Sequence, residues 1–327
     1  MNRPTPPTGE GGSDGGFVER ESAVTTLADR LNEAVTGLGR LVWVVGEPGM
    51  GKTALVASFT RDRARDVRVL TGACDGLSTP RPLGPVVDMA RDATDVASLL
   101  ATGDRHDLMA GFLDLLSTPG RPTIAVFEDV HWADESTLDL IRHVGRRVEH
   151  SFGLVIATYR PEELARTHPL RSLVGDLATA RGVDRLVLEP LTVAGIQRLV
   201  SSRGVDGADP VLLHQRTDGN PFFVTELLAH PTETIPDAVR DVVLARRDRL
   251  PDATRHVLDV VAVVPGALED LETQEKHGVS YLRYWVDEEA GKIFCLAEGP
   301  DAETVSKVHE EAHGLVAQEV FRVSEHT

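Results

Sequence analysis

The sequence predicts an α/β protein: a parallel sheet with helices on both faces, followed by a small C-terminal α+β unit. Three observations predict it. Continuous apolar runs of strand type alternate with helical stretches between Phe17 and Pro190. One of those runs feeds a glycine-rich loop that opens straight into a helical stretch. Composition then changes near Gly266: residues 1–266 hold 28 Arg and one Lys, whereas residues 267–327 hold two Arg and three Lys. At 327 residues the chain has room for two or three domains of about 100–200 residues each.

Composition bounds the function. Hydrophobic content of 41% with 26% charged residues excludes a mainly disordered or fibrous chain. No run reaches the roughly 18 apolar residues of a membrane span. Residues 1–16, MNRPTPPTGEGGSDGG, lack the apolar stretch of a signal peptide and read as a disordered, flexible tail. Cys74 and Cys295 are the only cysteines and lie far apart. That argues against a disulfide scaffold and for a reducing, cytoplasmic compartment. A net charge of −17 gives no overall attraction to nucleic acid or anionic membrane, so neither is expected as a direct partner.

The elements follow in order. Phe17–Val35 reads as an amphipathic helix entered through polar residues. Leu41–Val45 is a continuous apolar strand, and it runs into Gly46-Glu47-Pro48-Gly49-Met50-Gly51-Lys52-Thr53 and then the helical ALVASFTRDRARD. This is G-x-x-x-x-G-K-[ST] in its strand–loop–helix setting. Glycines let backbone N–H groups curl around phosphate oxygens without Cβ clashes, and the helix N-terminus adds partial positive charge. Lys52, the only lysine before the change in composition at Gly266, supplies a point charge to β- and γ-phosphates, and Thr53 a hydroxyl for Mg²⁺.

The second half of such a site is an acidic residue ending another buried strand. Thr123–Phe127 is that strand, with Glu128 and Asp129 after it, well downstream of the loop. One carboxylate reaches Mg²⁺, and another polarises the attacking water. Val67–Thr71, Gly153–Ala157 and Arg185–Leu188 complete the predicted sheet. After Gly153–Ala157 comes Arg160, which reads either as an arginine reaching a γ-phosphate or as a surface arginine paired with Glu162 or Glu163. In a doubly wound sheet, ligands bind at the carboxyl ends of the strands, where these motifs lie.

FVERE, VVGEPGMGKTAL, GACDGLSTPRPLGP, VFEDVHWADESTLDLI, ATYRPEEL and GNPFFVTELL together resemble the AAA-type ATPase module of large LuxR-type bacterial regulators and of some adenylate cyclases. These belong to the signal-transducing ATPases with numerous domains. The resemblance covers about residues 17–264. It implies ATP and Mg²⁺ as ligands, a five-stranded phosphate-loop NTPase core over 17–190, and a helical lid with the start of a truncated winged-helix region over 191–266. Carried over by motif, Lys52 and Thr53 take the phosphate and Mg²⁺ positions, with Glu128 and Asp129 as the acidic pair. Arg160 takes the strand-end sensor, and Asn220-Pro221 the lid motif near the nucleotide. Here the opening box is Glu19-Arg20-Glu21 where the family usually has Gly-Arg-Glu, and the acidic pair is Glu-Asp rather than Asp-Asp. Asp129 is a methylene shorter than the glutamate of fast ATPases, which predicts at most a slow Mg²⁺-dependent ATPase.

Residues 267–327 predict a helix over Glu269–His277, strands over Val279–Val286 and Lys292–Ala297, a helix capped by Asp301 and stopped by Gly314, and a strand over Val316–Val323. That order is a ferredoxin-like unit without its first strand. The segment is similar to a small actinobacterial family described as nickel-binding. Within it, His309-Glu310-Glu311-Ala312-His313 matches H-E-x-x-H. A zinc protease also needs a third ligand and a sizeable cleft, and only the short stretch Gly314–Thr327 follows His313, with His326 near its end. Two readings stay open: a transition-metal site for Ni²⁺ using His309, His313 and Cys295, or solvated or packed histidines. The missing strand leaves an open sheet edge, which predicts self-association or a protein partner. The leading function is an ATP-binding regulatory switch. The alternative is a metal-binding or metal-sensing protein, and a DNA-binding regulator has least support, with no helix-turn-helix and no basic stripe.

Overall fold

The computed structural model describes residues 18–77, 79–205, 207–230, 236–248, 250, 255, 273–274, 276–287 and 292–313. The chain divides into two compact units, Met1–Thr234 and Ile235–Thr327.

The first unit is built on five parallel strands: β1 (Arg40–Val45), β2 (Arg68–Ala73), β3 (Thr123–Glu128), β4 (Gly153–Tyr159) and β5 (Val183–Val187). Their order is β2-β3-β4-β1-β5, with every pairing parallel. The three inner strands are apolar along most of their length because both of their faces are covered. Alternate side chains go to opposite layers. Leu41, Trp43 and Val45 join Ala125, Phe127, Val155, Ala157 and Tyr159 on one face. Val42, Val44, Ile124, Val126, Leu154 and Ile156 pack on the other.

Helices α1 (Glu21–Val35) and α2 (Lys52–Arg63) cover that second face. Ala23, Leu27, Leu31 and Ala34 form the buried stripe of α1 at helical spacing. The first face is covered by α3 (Gly84–Met89), α4 (Thr94–Ala101), α5 (Arg105–Leu116), α6 (Glu135–Gly145) and α7 (Pro169–Leu177). Two of these start on aspartates that behave as sequence rules predict. The Asp104 carboxylate accepts from the His106 and Asp107 amides, and that of Asp134 from the Ser136 and Thr137 amides. Three further helices form a lid: α8 (Val193–Arg203), α9 (Pro210–Thr217) and α10 (Pro221–Ala229). Leu191, Ile196, Leu199, Val200, Val224 and Leu228 make their separate small core.

The strand positions match the sequence reading closely, with small shifts at the ends. The first helix does not: it begins at Glu21 rather than Phe17, because Glu19 takes a left-handed backbone (φ 58°) that no α-helix contains.

In the second unit, α11 (Asp237–Asp248) opens the stretch expected to begin a winged-helix region. Strands β6 (Ser280–Asp287) and β7 (Lys292–Glu298) pair antiparallel, with an irregularity between Tyr281 and Arg283. Helix α12 (Ala302–His313) follows, and the Asp301 carboxylate accepts from the Thr304 amide at 2.7 Å, the predicted cap. Val279 and Val308 are buried together, with Ala297 and Val305 against them. The tail 1–16, most of the predicted helix 269–277, the strand 316–323 and His326 lie outside the described residues.

One buried ionisable group gives the fold a pH signature. The turn Val130–Trp132 places the His131 ring wholly out of solvent, and neither ring nitrogen has a hydrogen-bond partner among the described residues. Its nearest carboxylate oxygens stand at 3.5 Å (Glu163) and 3.9 Å (Asp129). Burial, opposed by the Glu163 charge, lowers its pKa from 6.5 to about 4. Between those two values the unfolded chain binds the extra proton. The contribution of His131 to stability therefore falls as pH drops from 6.5 towards 4, by up to roughly 1.4 kcal/mol per pH unit. Urea denaturation across that range will show the slope, and His131→Gln will flatten it by up to one proton. An unchanged slope in the variant contradicts this.

Candidate nucleotide site

The site lies at the carboxyl ends of β1, β3 and β4, as expected for a doubly wound sheet. Strand β1 ends at Val45, and the loop 46–53 turns into α2. Gly49 (φ 85°) and Gly51 (φ 84°) are left-handed, so a side chain at either would strain the turn. A Cβ on Gly49 would also lie 2.5 Å from Asn220 Oδ1.

Consecutive carbonyls of this loop are held by donors from α2, from the lid and from the segment before α1. Lys52 is 6% exposed, and its ammonium donates to the carbonyls of Gly46 (2.6 Å) and Glu47 (3.0 Å). Asn220 Nδ2 donates to Pro48 O at 2.9 Å, and the Phe222 amide to Gly49 O at 3.2 Å. The buried Arg20 donates through Nη2 to Met50 O at 3.2 Å, and the Leu55 amide to Gly51 O at 2.9 Å. Asn220 is also the N-cap of α10, its Oδ1 accepting from the Phe222 amide, with Pro221 in the first helical turn. The lid therefore rests directly on the loop.

Across the cleft, Thr53 Oγ1 donates to Glu128 Oε2 at 2.8 Å. These are the two residues expected to hold Mg²⁺. A hydroxyl and a carboxylate within hydrogen-bond distance form a hard oxygen donor set of the kind Mg²⁺ takes. Asp129 follows in a left-handed conformation (φ 52°), with its amide donating to Thr158 Oγ1 at 2.9 Å.

Arg160 adopts the second of its two predicted positions while staying in the site. Its Nη1 donates to Glu163 Oε1 at 2.8 Å, and its Nε stands 3.7 Å from Asp129 Oδ1. The guanidinium lies 5.1 Å from the Trp132 ring centroid, and Trp132 Nε1 donates to Glu163 Oε2 at 3.1 Å. Trp132 and Glu163 thus brace the arginine beside Asp129.

Burial displaces the ionisable groups towards their neutral forms. It lowers Lys52 to about 8, assisted by the Arg160 charge and opposed by Asp129. It raises Glu128, against the Thr53 hydrogen bond, and raises Asp129, against the charges of Arg160 and Lys52.

The structure thus links the loop 46–53 to Glu128 through Thr53 and to Asn220 and Pro221 through the lid, with Arg160 beside Asp129. Sequence reasoning paired Glu163 with Arg160 in one of its two readings, but it missed Arg20, Thr158 and Trp132 as supports. The FVERE and VHWADES stretches are visible in the sequence, but nothing in their spacing says that an arginine 30 residues away reaches a loop carbonyl. In the second unit, Cys295 lies on β7, and His309 and His313 lie on α12, one helical turn apart. Their side chains lie outside the described residues.

Two stretches of the chain match known protein families. Residues 16–157 match the family described as AAA ATPase domain, and residues 259–323 the family described as nickel responsive protein SCO4226-like. An uncharacterized protein of Rhizobium meliloti is 23% identical over 279 residues, 69% of this chain and 26% of its own length. Among solved structures, a signal transduction ATPase with numerous domains and a tetratricopeptide repeat sensor, from Pyrococcus horikoshii, aligns at a TM-score of 0.44 and 14% identity. The alignment covers 78% of this chain and 37% of that one. Cdc6p from Pyrobaculum aerophilum aligns at 0.47 and 15% identity, over 90% of this chain and 80% of that one. The chain spans about a quarter of the Rhizobium protein and little more than a third of the Pyrococcus one. The chain is thus similar to the AAA ATPase domain family in its N-terminal half and to the nickel responsive SCO4226-like family at its C-terminal end.

Proposed function

We propose that this protein is an ATP-dependent regulatory switch with slow hydrolysis, of the kind found in LuxR-type regulators and cyclase-associated ATPases. One observation carries the reading. The Thr53 hydroxyl and the Glu128 carboxylate, 75 residues apart in sequence, meet at 2.8 Å beside a loop whose lysine is buried against its own backbone. These groups supply the oxygen donors that Mg²⁺ takes and the cation that phosphates take, which supports the reading.

In this reading Lys52 and the loop amides of 46–53 bind the phosphates, and Thr53 and Glu128 hold Mg²⁺, which neutralises phosphate charge. Asp129 orients the attacking water, and Arg160 meets the γ-phosphate or its product. Asn220 and Pro221 bring the lid to the nucleotide. The proposed organisation is a tail over 1–16, the core over 17–190, the lid and a partial winged-helix segment over 191–266, and a ferredoxin-like unit over 267–327. No helix among the described residues is long and apolar enough to cross a membrane. The reading places the protein in the cytoplasm, acting through a protein partner or a second copy rather than by touching nucleic acid.

A second reading is favoured by the C-terminal family match. The segment 259–323 acts as a nickel-responsive module, with His309, His313 and Cys295 as candidate ligands.

Lys52→Ala will lower Mg²⁺-ATP affinity at least about a hundredfold by calorimetry, since a buried cation is lost from the phosphates. It will leave the fold intact, because Arg20, Asn220 and Phe222 still hold the loop. Unchanged affinity refutes the site. Phosphate release by the purified chain will run far below the roughly 1–100 s⁻¹ typical of kinases, and turnover within that range contradicts the slow-switch reading. For the second reading, equilibrium dialysis of the full chain will show Ni²⁺ uptake that the His309→Ala/His313→Ala double variant loses. Equal uptake by both proteins removes those two ligands from consideration.

A further inference from the structure

We propose that Glu19 is a carboxylate clasp that seats the lid on the nucleotide loop, and that Gly195 is the residue that keeps its cradle open. The clasp is a positioning device; its geometry stands alone, and its consequence for ATP rests on the reading above.

Glu19 lies outside α1, yet its carboxylate is bound at the start of the lid. Its Oε2 accepts from the Thr192 amide at 2.8 Å, and its Oε1 from Thr192 Oγ1 at 2.6 Å. Arg198 Nη2 donates to the same Oε1 at 3.2 Å. Thr192, Gly195 and Arg198 recur at every third position from the N-cap of α8, so they line one side of its first two turns. The amino end of a helix favours an anion, and here the anion comes from the chain itself. Burial alone would raise the Glu19 carboxyl, but the Thr192 bonds and the Arg198 charge outweigh it and hold the group below the ordinary range.

The cradle depends on a missing side chain. A Cβ on Gly195 would lie 2.5 Å from Glu19 Cδ and Oε2, and 2.8 Å from Oε1. Glycine is a poor helix former, so its presence in the first turn of α8 runs against local propensity. The carboxylate explains it. Glu19 itself sits in the left-handed region (φ 58°), which a side chain rarely adopts. Two unfavourable local choices, on segments far apart in sequence, meet at one contact.

The clasp is wired to the loop. The next residue, Arg20, is buried and donates to Met50 O at 3.2 Å. Adjacent residues of one short segment therefore hold the loop and the lid. From the far end of the lid, Asn220 and Phe222 hold the carbonyls of Pro48 and Gly49. The lid is tied at both ends, and a loop moving to accept phosphates moves both ties.

Hydrogen exchange of the lid peptides 193–229 in the full chain tests this, first without nucleotide. Gly195→Ala and Glu19→Gly will each raise exchange in α8 about tenfold, as losing bonds to a charged group implies. Glu19→Gly also relieves the left-handed backbone, so a folding defect does not account for its effect. The double variant will exchange no faster than the worse single one, and Glu19→Gln, which keeps one carbonyl acceptor, will lose less. If Gly195→Ala slows exchange in α8, as helix propensity alone predicts, or if the two single effects add, the clasp is wrong. With Mg²⁺-ATP, lid protection in the wild type will exceed that in either variant, and equal protection overturns the coupling. Failure of the wild type to bind ATP overturns the nucleotide reading instead, and the ligand-free exchange still judges the clasp.

Discussion

The loop between β1 and α2 exposes one carbonyl after another, and the architecture around it is arranged to satisfy them. From Gly46 to Gly51, the acceptors are met by Lys52, by Asn220 and the Phe222 amide, by Arg20 and by the Leu55 amide. Buried backbone acceptors must be paired, and each lost pairing costs roughly 1–3 kcal/mol. The donors come from the segment before α1, from α2 and from the lid. Those elements are fixed in place by a loop whose carbonyls face outward, and such a loop is suited to turning its amides towards an anion.

Electrostatics run in the same direction. Lys52 and the two carboxylates of the acidic pair are all displaced towards their neutral forms, chiefly by burial. The site thus holds charged groups that the protein interior alone compensates incompletely. On the proposed reading, a Mg²⁺–triphosphate brings both missing signs, anionic oxygens for Lys52 and Arg160 and a dication for Glu128. Binding then recovers solvation lost on folding. Until it does, Lys52 leans on loop carbonyls, Thr53 on Glu128, and Arg160 on Glu163.

The sheet and the two halves of the nucleotide site are legible in the sequence because local rules govern them. Buried parallel strands are continuous apolar runs, and a phosphate loop needs glycines at fixed spacing. Thr53 and Glu128 can be paired without sight of their 2.8 Å contact, since each follows its own strand by a set interval. The supports are not legible. Arg20, Trp132 and Glu19 act across 30 to 179 residues, and their contacts depend on how finished elements pack. Arg160 carries two readings in the sequence, and it satisfies both demands: it pairs with Glu163 while standing 3.7 Å from Asp129. The start of α1 escapes sequence reading for a related reason. A polar run of good helix formers gives no warning that Glu19 adopts φ 58°.

That backbone angle belongs to a pattern. Four non-glycine residues among those described have positive φ, and three of them, Glu19, Asp129 and Asp218, lie at or next to the parts that surround the nucleotide loop. Each such residue costs on the order of 1–2 kcal/mol, so the surroundings must hold it there. Asp129 is held by its amide bond to Thr158 and by the nearby guanidinium of Arg160. Glu19 is held by Thr192 and Arg198. Asp218 ends α9 just before Gly219 and the capping Asn220. In the first two, a strained turn directs a polar group to a neighbour that an ordinary helical or extended backbone would miss. The strain is the cost of joining strand ends, loop and lid into one cooperative site. It also makes these joints the places where a bound phosphate shifts the balance most easily.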